Sequence, residues 1–491
     1  MASEENHPPV MDFCGHKQTL NKQKLCLCGC GCCCLLPAVV VAALWSSIFL
    51  FFLSWQFALS QRSITFNMWK ETPLPMYMNV VLFNWTNPEQ SLRGPEKPIL
   101  TEMGPYVFSE HHSKQNIVWN DDNSTITFQN RNEWHFMENM SSGSLSDIVT
   151  NLNTVALTLG SRCQHLGNLT GIVNEIFERN GSLVVSKSVG DLIFDGYKDA
   201  LLQNTDLRRY LPDFPGYDRF GWYYQRNMSA TFDGEITMHT GQKDIERLGL
   251  LTSWNYRTST GCYPGECGQV KSTIGNVLPL STFKQLQFTL FNTDICGVYT
   301  LESEKLVELN NIPGVQYQAT QSMFSNKETC YCPNKTCPAS GVRDISACKH
   351  APLFISLPHF LHADPSYMEA VRGLQPNASK HSFFMSLANL TSVPLVVQVR
   401  LQTNLLVEPI PNMTFFSNLS RLYMPMYWVD QYAILTPDLA ALMHPLYPFS
   451  EWGGWGILLF GGGLGAILIL LGFILRCQDT SETTSLLSRG M

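Results

Sequence analysis

Two long runs of apolar residues interrupt an otherwise mixed pattern of hydrophobic and polar positions. Residues 35–59, LLPAVVVAALWSSIFLFFLSWQFAL, carry no charge over 25 positions, and residues 453–475, GGWGILLFGGGLGAILILLGFIL, carry none over 23. At about 1.5 Å per residue, a helix of either length exceeds the ~30 Å hydrocarbon layer of a bilayer. Buried core helices are the alternative, but uncharged runs above about 18 residues favour membrane spans. The pattern therefore predicts a hairpin of two transmembrane helices.

The flanks of these runs predict the orientation of the chain. The first run is too long for the ~7–15-residue apolar region of a cleaved signal peptide, so we expect an uncleaved signal-anchor. Lys17, Lys22 and Lys24 precede it, and Arg476 follows the second run. The positive-inside rule then places the tails, residues 1–34 and 476–491, in the cytosol. Residues 60–452 are predicted to lie outside the cell or in a lumen.

Within residues 60–452 the pattern changes to that of a strand-rich domain. The segment 395–407, LVVQVRLQTNLLV, alternates apolar and polar residues, which predicts a strand with one wet face. MYMNVVLF from Met76 and QFTLF from Gln287 are similar strand candidates. Between residues 146 and 210, segments such as HLGNLTGIVNEIFER show helical spacing instead. With no internal repeat or long linker, we expect one large α+β ectodomain.

The charge balance excludes one broad class of function. Only 15% of residues are charged, against about 25% in soluble domains. Lys and Arg number 33 and Asp and Glu number 40, which gives a net charge of -7. Because nucleic-acid binding relies on an excess of basic residues, the chain is not expected to bind nucleic acid.

Glycosylation acceptors agree with the predicted topology. The chain contains eleven Asn-X-Ser/Thr sequons, and all of them lie between the two apolar runs. Oligosaccharides are added only on the lumenal side, so this distribution supports a lumenal or extracellular 60–452 segment. The acceptors are Asn84, Asn123, Asn139, Asn168, Asn180, Asn227, Asn334, Asn377, Asn389, Asn412 and Asn418.

The 16 cysteines divide between the same two compartments. Eight lie in the predicted cytosolic tails, where disulfides rarely persist. Those next to the membrane favour S-palmitoylation over a zinc cluster or an unmodified state, because the run CLCGCGCCC lacks paired C-x₂-C knuckles and has no folded module beside it. The predicted acyl sites are Cys30, Cys32, Cys33, Cys34 and Cys477.

The other eight cysteines are even in number and lie in the predicted oxidising compartment, which favours disulfides. Spacing alone does not determine how they pair. They are Cys163, Cys262, Cys267, Cys296, Cys330, Cys332, Cys337 and Cys348.

Motifs for catalysis are missing from the chain. There is no G-x-S-x-G, H-E-x-x-H, G-x-x-x-x-G-K-[ST] or dinucleotide-binding glycine fingerprint. The nearest candidates are the adjacent pair His111–His112 and the i, i+3 pair His359 and His362. Because no third ligand lies near the second pair, structural hydrogen bonding is the preferred interpretation. The chain is therefore predicted not to be an enzyme and to need no metal or cofactor.

Several segments spread through the ectodomain carry a family resemblance. They are WKETPLPMYMNVVLFNWTNPE from Trp69, GPYVFSE from Gly104, FDGYKD from Phe194, FDGEITMHTG from Phe232 and GVRDISACKHAPLFISLPHFLHADP from Gly341. With these segments and two predicted spans, the chain closely resembles the class B scavenger receptor family.

That resemblance implies a fold and a disulfide pattern. The implied ectodomain has an antiparallel β-barrel-like core, a helical bundle at the membrane-distal apex and a hydrophobic tunnel toward the bilayer. The implied bridges are Cys267–Cys330, Cys296–Cys348 and Cys332–Cys337. Whether Cys163 and Cys262 pair stays open.

The resemblance also implies a function. The leading hypothesis is a receptor for lipids, lipoproteins or lipid-bearing particles that passes single lipids through the tunnel, because an acyl chain in water loses about 0.8 kcal/mol per exposed CH₂. Near the apex, His165, Arg162, Arg179 and Lys187 are candidates for binding a ligand or partner.

The alternative is a lysosomal trafficking receptor that carries a hydrolase and releases it as His165 gains charge in an acidic compartment. Glu482, Leu486 and Leu487 fit an acidic dileucine signal for clathrin adaptors, in a tail expected to be exposed and unstructured. Residence in the lysosomal or late endosomal membrane and in the plasma membrane is predicted.

One motif concerns the second span itself. Gly461 and Gly465 form G-x-x-x-G, a close-packing face for another helix. This face predicts pairing either with the first span or with another molecule, such as a second copy in a homo-oligomer.

Overall fold

The computed structural model describes residues 13–163, 167–211, 214, 216–326, 329–332 and 337–488. Its strands are β1 (Met76–Trp85), β2 (Leu100–Asn120), β3 (Thr125–Phe136), β4 (Ile148–Leu152), β5 (Val184–Ser188), β6 (Glu235–His239), β7 (Leu251–Trp254), β8 (Gln287–Asn292), β9 (Gly297–Leu309), β10 (Ile312–Gln318), β11 (Val342–Asp344), β12 (Leu353–Ser356), β13 (Phe384–Ala388), β14 (Pro394–Val407) and β15 (Leu422–Ile434). Its helices are α1 (Phe13–Ala43), α2 (Trp45–Phe57), α3 (Ile64–Lys70), α4 (Pro88–Arg93), α5 (Thr154–Cys163), α6 (Thr170–Asn180), α7 (Thr205–Tyr210), α8 (Ser346–Lys349), α9 (Pro365–Glu369), α10 (Ala378–His381), α11 (Pro437–Met443), α12 (Leu446–Ile457) and α13 (Gly463–Ser488).

The described residues form two compact units. One comprises Gln56–Ala440, and the other comprises the described residues on either side of it, 13–55 and 441–488. The larger unit is dominated by a 13-stranded sheet in the order β7-β6-β3-β2-β1-β15-β14-β13-β10-β9-β8, with β12 beside β14 and β11 beside β12. Every pairing in it is antiparallel. The prediction of a strand-rich ectodomain is therefore confirmed.

The strands do not close into a barrel. β7 and β8 lie at the two ends of the sheet and are not paired with each other. Instead, an extended segment reaches both: the Ser272 carbonyl accepts the N–H of Leu251 in β7 at 2.7 Å, and the Thr273 carbonyl accepts the N–H of Phe291 in β8 at 2.8 Å. In a closed barrel a continuous ladder of hydrogen bonds would join β7 to β8, whereas here each of these strands makes one of the two hydrogen bonds to the segment between them.

Strand β14 follows its predicted alternation, but the prediction that its polar face is wet is wrong. Gln402 and Asn404 are completely buried. Gln402 donates to Asn404 at 2.7 Å and accepts the His359 N–H at 2.7 Å, while Asn404 donates to the Ser356 hydroxyl at 3.0 Å. Ser356 ends β12, which is hydrogen-bonded to β14 as its neighbour in the sheet, and His359 follows three residues later. Polar residues alternate with apolar ones in a strand when one face meets water, and the same alternation arises when that face meets buried hydrogen-bond partners.

The region 146–210 lies in the chain between β3 and β6, which pair directly with each other in the large sheet. It contains the β4–β5 hairpin-like pair, helices α5, α6 and α7, and a π-helical turn over Asp191–Asp195. Its apolar residues belong to one core cluster shared with β1, to which α5 contributes Leu157 and α6 contributes Phe177. The prediction of helices in this part of the chain is therefore confirmed, and α5 and α6 pack in the same core as β1.

The smaller unit contains the apolar helices. The helical run Pro437–Leu475, of 39 residues, is long and apolar enough to cross a bilayer. It begins before the predicted boundary at residue 453. The first apolar run is not one straight helix, because Gly29–Ala43 and Trp45–Phe57 meet at an angle of 68°. The Ser46–Ser47 pair beside this bend is typical of sharp helix kinks.

The glycine motif packs against the same chain. A Cβ atom built on Gly461 would lie 3.1 Å from the Ala38 Cβ, and one on Gly465 would lie 2.7 Å from the Gly31 carbonyl oxygen. Both contacts are with α1, so the absence of side chains allows the backbones of α1 and α13 to approach closely. At its other end, α13 remains helical to Ser488, and the expectation of an unstructured C-terminal tail is wrong.

Candidate functional site

A cavity of about 420 Å³ lies inside the unit Gln56–Ala440. Side chains from three separate core clusters contribute to its wall, represented by Trp134, Phe383 and Trp69. The alternating apolar residues of β14 line it as well, namely Val397, Val399 and Leu401. These three residues are two apart in the strand and therefore share the face of β14 that borders this space. The volume falls within the ~300–1,000 Å³ typical of small-molecule sites.

One part of the cavity wall is polar, and strand β2 supplies much of it. Glu110, His112 and Lys114 alternate along β2 and all line the cavity, because side chains two apart in a strand share a face. His111 lies on the opposite face and is exposed. The Glu110 carboxylate is 2.7 Å from His112 Nε2 and accepts the Gln431 amide at 3.3 Å. The carboxylate is thus bound on two sides.

Lys114 is a deeply buried charged group of this wall. The residue is only 2% exposed. Its Nζ donates to Asn130 Oδ1, on the paired position of β3, at 2.7 Å and lies 5.7 Å from the centre of the Phe128 ring. Burial lowers the pKa of Lys114 to about 7, although the carboxylate of Asp233 acts in the opposite direction.

A second charged group in the wall is centred on Arg226. Its guanidinium makes a bidentate pair with Asp294, with nitrogen–oxygen distances of 3.1 and 3.0 Å, and a further bond to Asp233 at 3.1 Å. Burial raises the pKa of Asp233 even beside Arg226. Burial acts to raise the pKa of Asp294 too, but Arg226 and Lys349 outweigh it and lower that pKa to about 2.

Three disulfides cross-link a neighbouring part of the larger unit. They join Cys267 to Cys330, Cys296 to Cys348 and Cys332 to Cys337. Cys163 is buried and forms no disulfide. Cys262 forms none either, yet its Sγ lies within 4.8 Å of those of both Cys296 and Cys348.

The candidate binding residues near 146–210 engage separate neighbours. Arg162 lies in the last turn of α5, and its Nε donates to the His350 carbonyl at 2.9 Å. Arg179 pairs with Glu175 one turn earlier on an exposed helix face, and Lys187 lies 5.1 Å from the centre of the Tyr197 ring. His165 lies outside the described residues.

The second histidine pair does not form a ligand set. His359 is buried, with its Nε2 2.8 Å from Glu102 Oε1 and its Nδ1 accepting the Gln375 N–H at 3.0 Å. His362 is exposed. His359 therefore makes hydrogen bonds of the structural kind expected of it.

Most of the described glycosylation acceptors are accessible. Asn139, Asn180, Asn227, Asn377, Asn412 and Asn418 are exposed, and Asn84 and Asn389 are half-buried. Asn334 and the side chains of Asn123 and Asn168 lie outside the described part of the chain.

The described palmitoylation candidates are cysteines of α1. Cys30, Cys32 and Cys33 are exposed, and Cys34 is half-buried. Among the described residues, this helix contains no group of three side chains placed to hold a metal. The side chains of Cys477, Glu482, Leu486 and Leu487 lie outside the described part.

Comparison with known proteins now assigns the chain to a family. The sequence model of the CD36 family matches residues 28–476, which is most of the chain. The chain belongs to the CD36 family. The predicted membership of this family of membrane proteins is therefore confirmed. Its members are receptors and transporters, so the prediction that the chain is not an enzyme is confirmed as well.

Individual relatives of this CD36-family chain agree with the assignment. Protein peste of Drosophila melanogaster is 33% identical over 419 residues, covering 83% of this chain and 75% of that protein. Scavenger receptor class B member 1 of Bos taurus is 30% identical over 436 residues, covering 86% and 83%. Lysosome membrane protein 2 of Mus musculus is 28% identical over 382 residues, covering 76% and 78%.

The charged residues of the cavity wall were missed by sequence reasoning. A signal did exist in β2, where Glu110, His112 and Lys114 place three ionisable residues at a period of two in a strand. Such a pattern usually marks a solvent-facing side. Asp233 lies only seven residues after Arg226, but Asp294, which completes the bidentate pair, comes from a distant segment.

Proposed function

We propose that this CD36-family protein is a membrane receptor that binds lipids, lipoproteins or lipid-bearing particles and moves single lipids through its ectodomain toward the bilayer. The observation that carries the proposal is the cavity, whose wall joins the apolar face of β14 to side chains of three core clusters. A cofactor or catalytic group is not needed for this role. Two relatives are named scavenger receptor class B member 1 and lysosome membrane protein 2, which fits a membrane receptor.

The physical reason for such a cavity is the cost of exposing hydrocarbon to water. Each CH₂ group moved from an apolar surface into water costs about 0.8 kcal/mol, so a chain of a dozen methylenes faces about 10 kcal/mol. An apolar enclosure removes most of that barrier along the path it covers. Extension of the cavity into a tunnel that reaches the membrane is part of the proposal.

The proposed membrane arrangement has two spans with both termini in the cytosol. The helical run Pro437–Leu475 supports one span. The bent pair Gly29–Ala43 and Trp45–Phe57 supports the other, and close packing of α1 on Gly461 and Gly465 fits a hairpin of spans. Lumenal glycosylation of the sequons and palmitoylation of the tail cysteines are part of the same proposal.

Filling the cavity should block lipid movement. Val399→Trp adds an indole to the β14 face that lines the cavity. We expect uptake of a fluorescent sterol by cells expressing this variant to fall at least about fivefold, equivalent to about 1 kcal/mol. Uptake is measured per molecule at the cell surface.

The matched control is Leu306→Trp on strand β9. Leu306 is 83% exposed, so its indole adds the same bulk to the outside of the protein. Uptake should then equal that of the unmodified protein. Equal uptake by Val399→Trp and Leu306→Trp would count against the cavity as the lipid path.

A second function is favoured by the C-terminal tail. Glu482, Leu486 and Leu487 have the spacing of an acidic dileucine signal, and one relative is named lysosome membrane protein 2. The corresponding proposal is a trafficking receptor that binds a clathrin adaptor and delivers a lysosomal hydrolase, with Arg162, His165, Arg179 and Lys187 near the partner.

Removing the dileucine tests this second function. Leu486→Ala/Leu487→Ala should move most of the protein from lysosomes to the cell surface, because adaptor binding depends on the two leucines. Surface biotinylation measures the change, and Leu475→Ala in α13 is the control. A lysosomal fraction that does not change would remove the tail from the sorting mechanism.

A further inference from the structure

Helix α3 carries apolar side chains on two opposite sides. Phe66 and Trp69 lie on its inner side, where they pack in a core cluster with residues of β3. Ile64 and Met68 are four residues apart, so they share the outer side of the helix. Both are exposed, Ile64 to 65%. A surface helix usually turns polar residues outward, so this apolar strip departs from the normal pattern.

The strip lies directly beside the end of an apolar helix. Helix α2 ends at Phe57, and α3 begins seven residues later at Ile64. The hydroxyl of Thr65, in the first turn of α3, donates to the carbonyl of Gln56, in the last turn of α2, at 3.0 Å. If α2 belongs to a membrane span, its last turn lies at the membrane surface, and the strip on α3 begins next to that surface.

A third exposed apolar residue lies where the chain leaves the sheet again. Met76, the first residue of β1, pairs with Ala433 of β15, so β15 ends at the edge of the sheet where β1 begins. Ile434 is the last residue of β15 and is exposed. The second apolar helical run begins three residues later, at Pro437. Both connections to the apolar helices therefore carry exposed apolar side chains.

Basic residues flank the strip on α3. Arg62 precedes Ile64 by two residues, and Lys70 ends the helix; both are exposed. Glu71, the exposed acidic neighbour, lies beyond the helix. Long basic side chains can lay their stems on hydrocarbon while the charged groups reach the phosphates of lipid headgroups. Apolar residues between two basic ones therefore suit a membrane interface.

A bilayer fits this strip better than a protein partner does. Stable protein interfaces bury about 1,200–2,000 Å² in total, far more than these few side chains supply. A bilayer needs no such area here, because a membrane span next to α3 would already hold the helix at the lipid surface. The entropy of association would then have been lost once, on insertion of the span.

We propose that α3 is an interfacial helix, which lies along the outer surface of the bilayer with Ile64 and Met68 at the boundary between headgroups and acyl chains. Arg62 and Lys70 lie at the level of the phosphates, and Ile434 makes a second contact. This inference rests on the proposed membrane arrangement and goes beyond it. Two separate contacts with the bilayer limit the tilt of the sheet relative to the membrane.

Photocrosslinking of the full-length protein in phosphatidylcholine nanodiscs tests this contact. The photoreactive residue p-benzoylphenylalanine replaces Ile64 in one variant and Ile172 in the matched control. Ile172 is 46% exposed on α6, in the region that contacts the opposite end of β1 through the Asn151 amide, which donates to the Phe83 carbonyl at 2.8 Å. We expect the fraction of peptide carrying a phospholipid adduct, measured by mass spectrometry, to be at least about fivefold higher at 64 than at 172.

Two further positions keep the test decisive. Replacement of Leu464, an exposed residue of α13, reports on the span itself and should give abundant lipid adducts. If the variant at Ile64 does not fold, the same replacement at Ile434 carries the test.

Two results would overturn the inference while the membrane arrangement stands. One is adduct formation at 64 that does not exceed that at 172 although 464 is labelled. The other is a crosslink from 64 to a second polypeptide in place of lipid, which would identify a protein interface. Absence of lipid adducts at 464 would instead show that the proposed membrane arrangement fails.

Discussion

Arg226→Met is expected to destabilise the sheet-rich unit by about 3–5 kcal/mol, because the substitution leaves the buried carboxylate of Asp233 without its counter-ion. Arg226 is 13% exposed, and its partner Asp233 is 10% exposed. The guanidinium also lies 5.4 Å from the centre of the Tyr223 ring and 5.0 Å from that of Phe232, so packing is lost together with charge. Thermal unfolding of the full-length protein in detergent should show a melting temperature lower by at least about 5 °C.

The pH dependence of this defect identifies its cause. Burial already raises the pKa of Asp233, and loss of Arg226 should raise it further. A carboxyl group whose folded pKa exceeds its unfolded pKa destabilises the fold at high pH and ceases to do so once protonated. The difference from the unmodified protein should therefore shrink between about pH 7.5 and pH 5.

Two further variants serve as controls for Arg226→Met. Arg226→Met/Asp233→Asn/Asp294→Asn removes the uncompensated charges and should recover much of the lost stability. Arg179→Met breaks an exposed i, i+4 ion pair and should change stability by no more than about 0.5 kcal/mol. A defect that does not depend on pH and is not relieved in the triple variant would assign Arg226 a packing role alone.

Loss of the Cys296–Cys348 bridge has the second large expected effect. The bridge joins residues 52 apart, and removal of such a cross-link typically costs about 2–5 kcal/mol. Cys296→Ser would leave the Cys348 thiol within 4.8 Å of the Cys262 sulfur. Under oxidising conditions we expect these two to form a replacement disulfide, which would recover part of the stability.

Cys262→Ser/Cys296→Ser removes both ways of cross-linking Cys348. This variant should lose the full 2–5 kcal/mol expected for the bridge, while Cys262→Ser alone should lose little, because that thiol cross-links nothing in the structure. Non-reducing peptide mapping detects a Cys262–Cys348 link, and thermal unfolding ranks the three variants. Equal melting temperatures for Cys296→Ser and the double variant would argue against the replacement bridge.

The parts of the fold that follow from local pattern were predictable. The alternation in β14 predicted a strand over nearly its observed length. The burial of Gln402 and Asn404 was not predictable, because it depends on β12, which comes from a distant part of the chain. The bend after Ala43 was equally hidden, since an uncharged run has the same composition whether straight or kinked.

The cavity wall shows a second limit of prediction from the sequence. A lysine in a strand normally faces water, so Lys114 looked ordinary in the sequence. Its burial follows from tertiary packing, because the cavity wall combines residues from strands far apart in the chain. The apolar lining was hidden for a related reason, because cavity residues and core residues have the same composition.

The contact of α1 with Gly461 and Gly465 limits the stoichiometry of any assembly. These glycines are the usual means by which spans of two separate molecules come together, but here the same chain already occupies them. A second copy could use this face only after α1 had left it. Clustering of the protein in a membrane, where it occurs, would therefore depend on other surfaces, and bulky substitutions at Gly465 would alter the monomer before they altered the number of its neighbours.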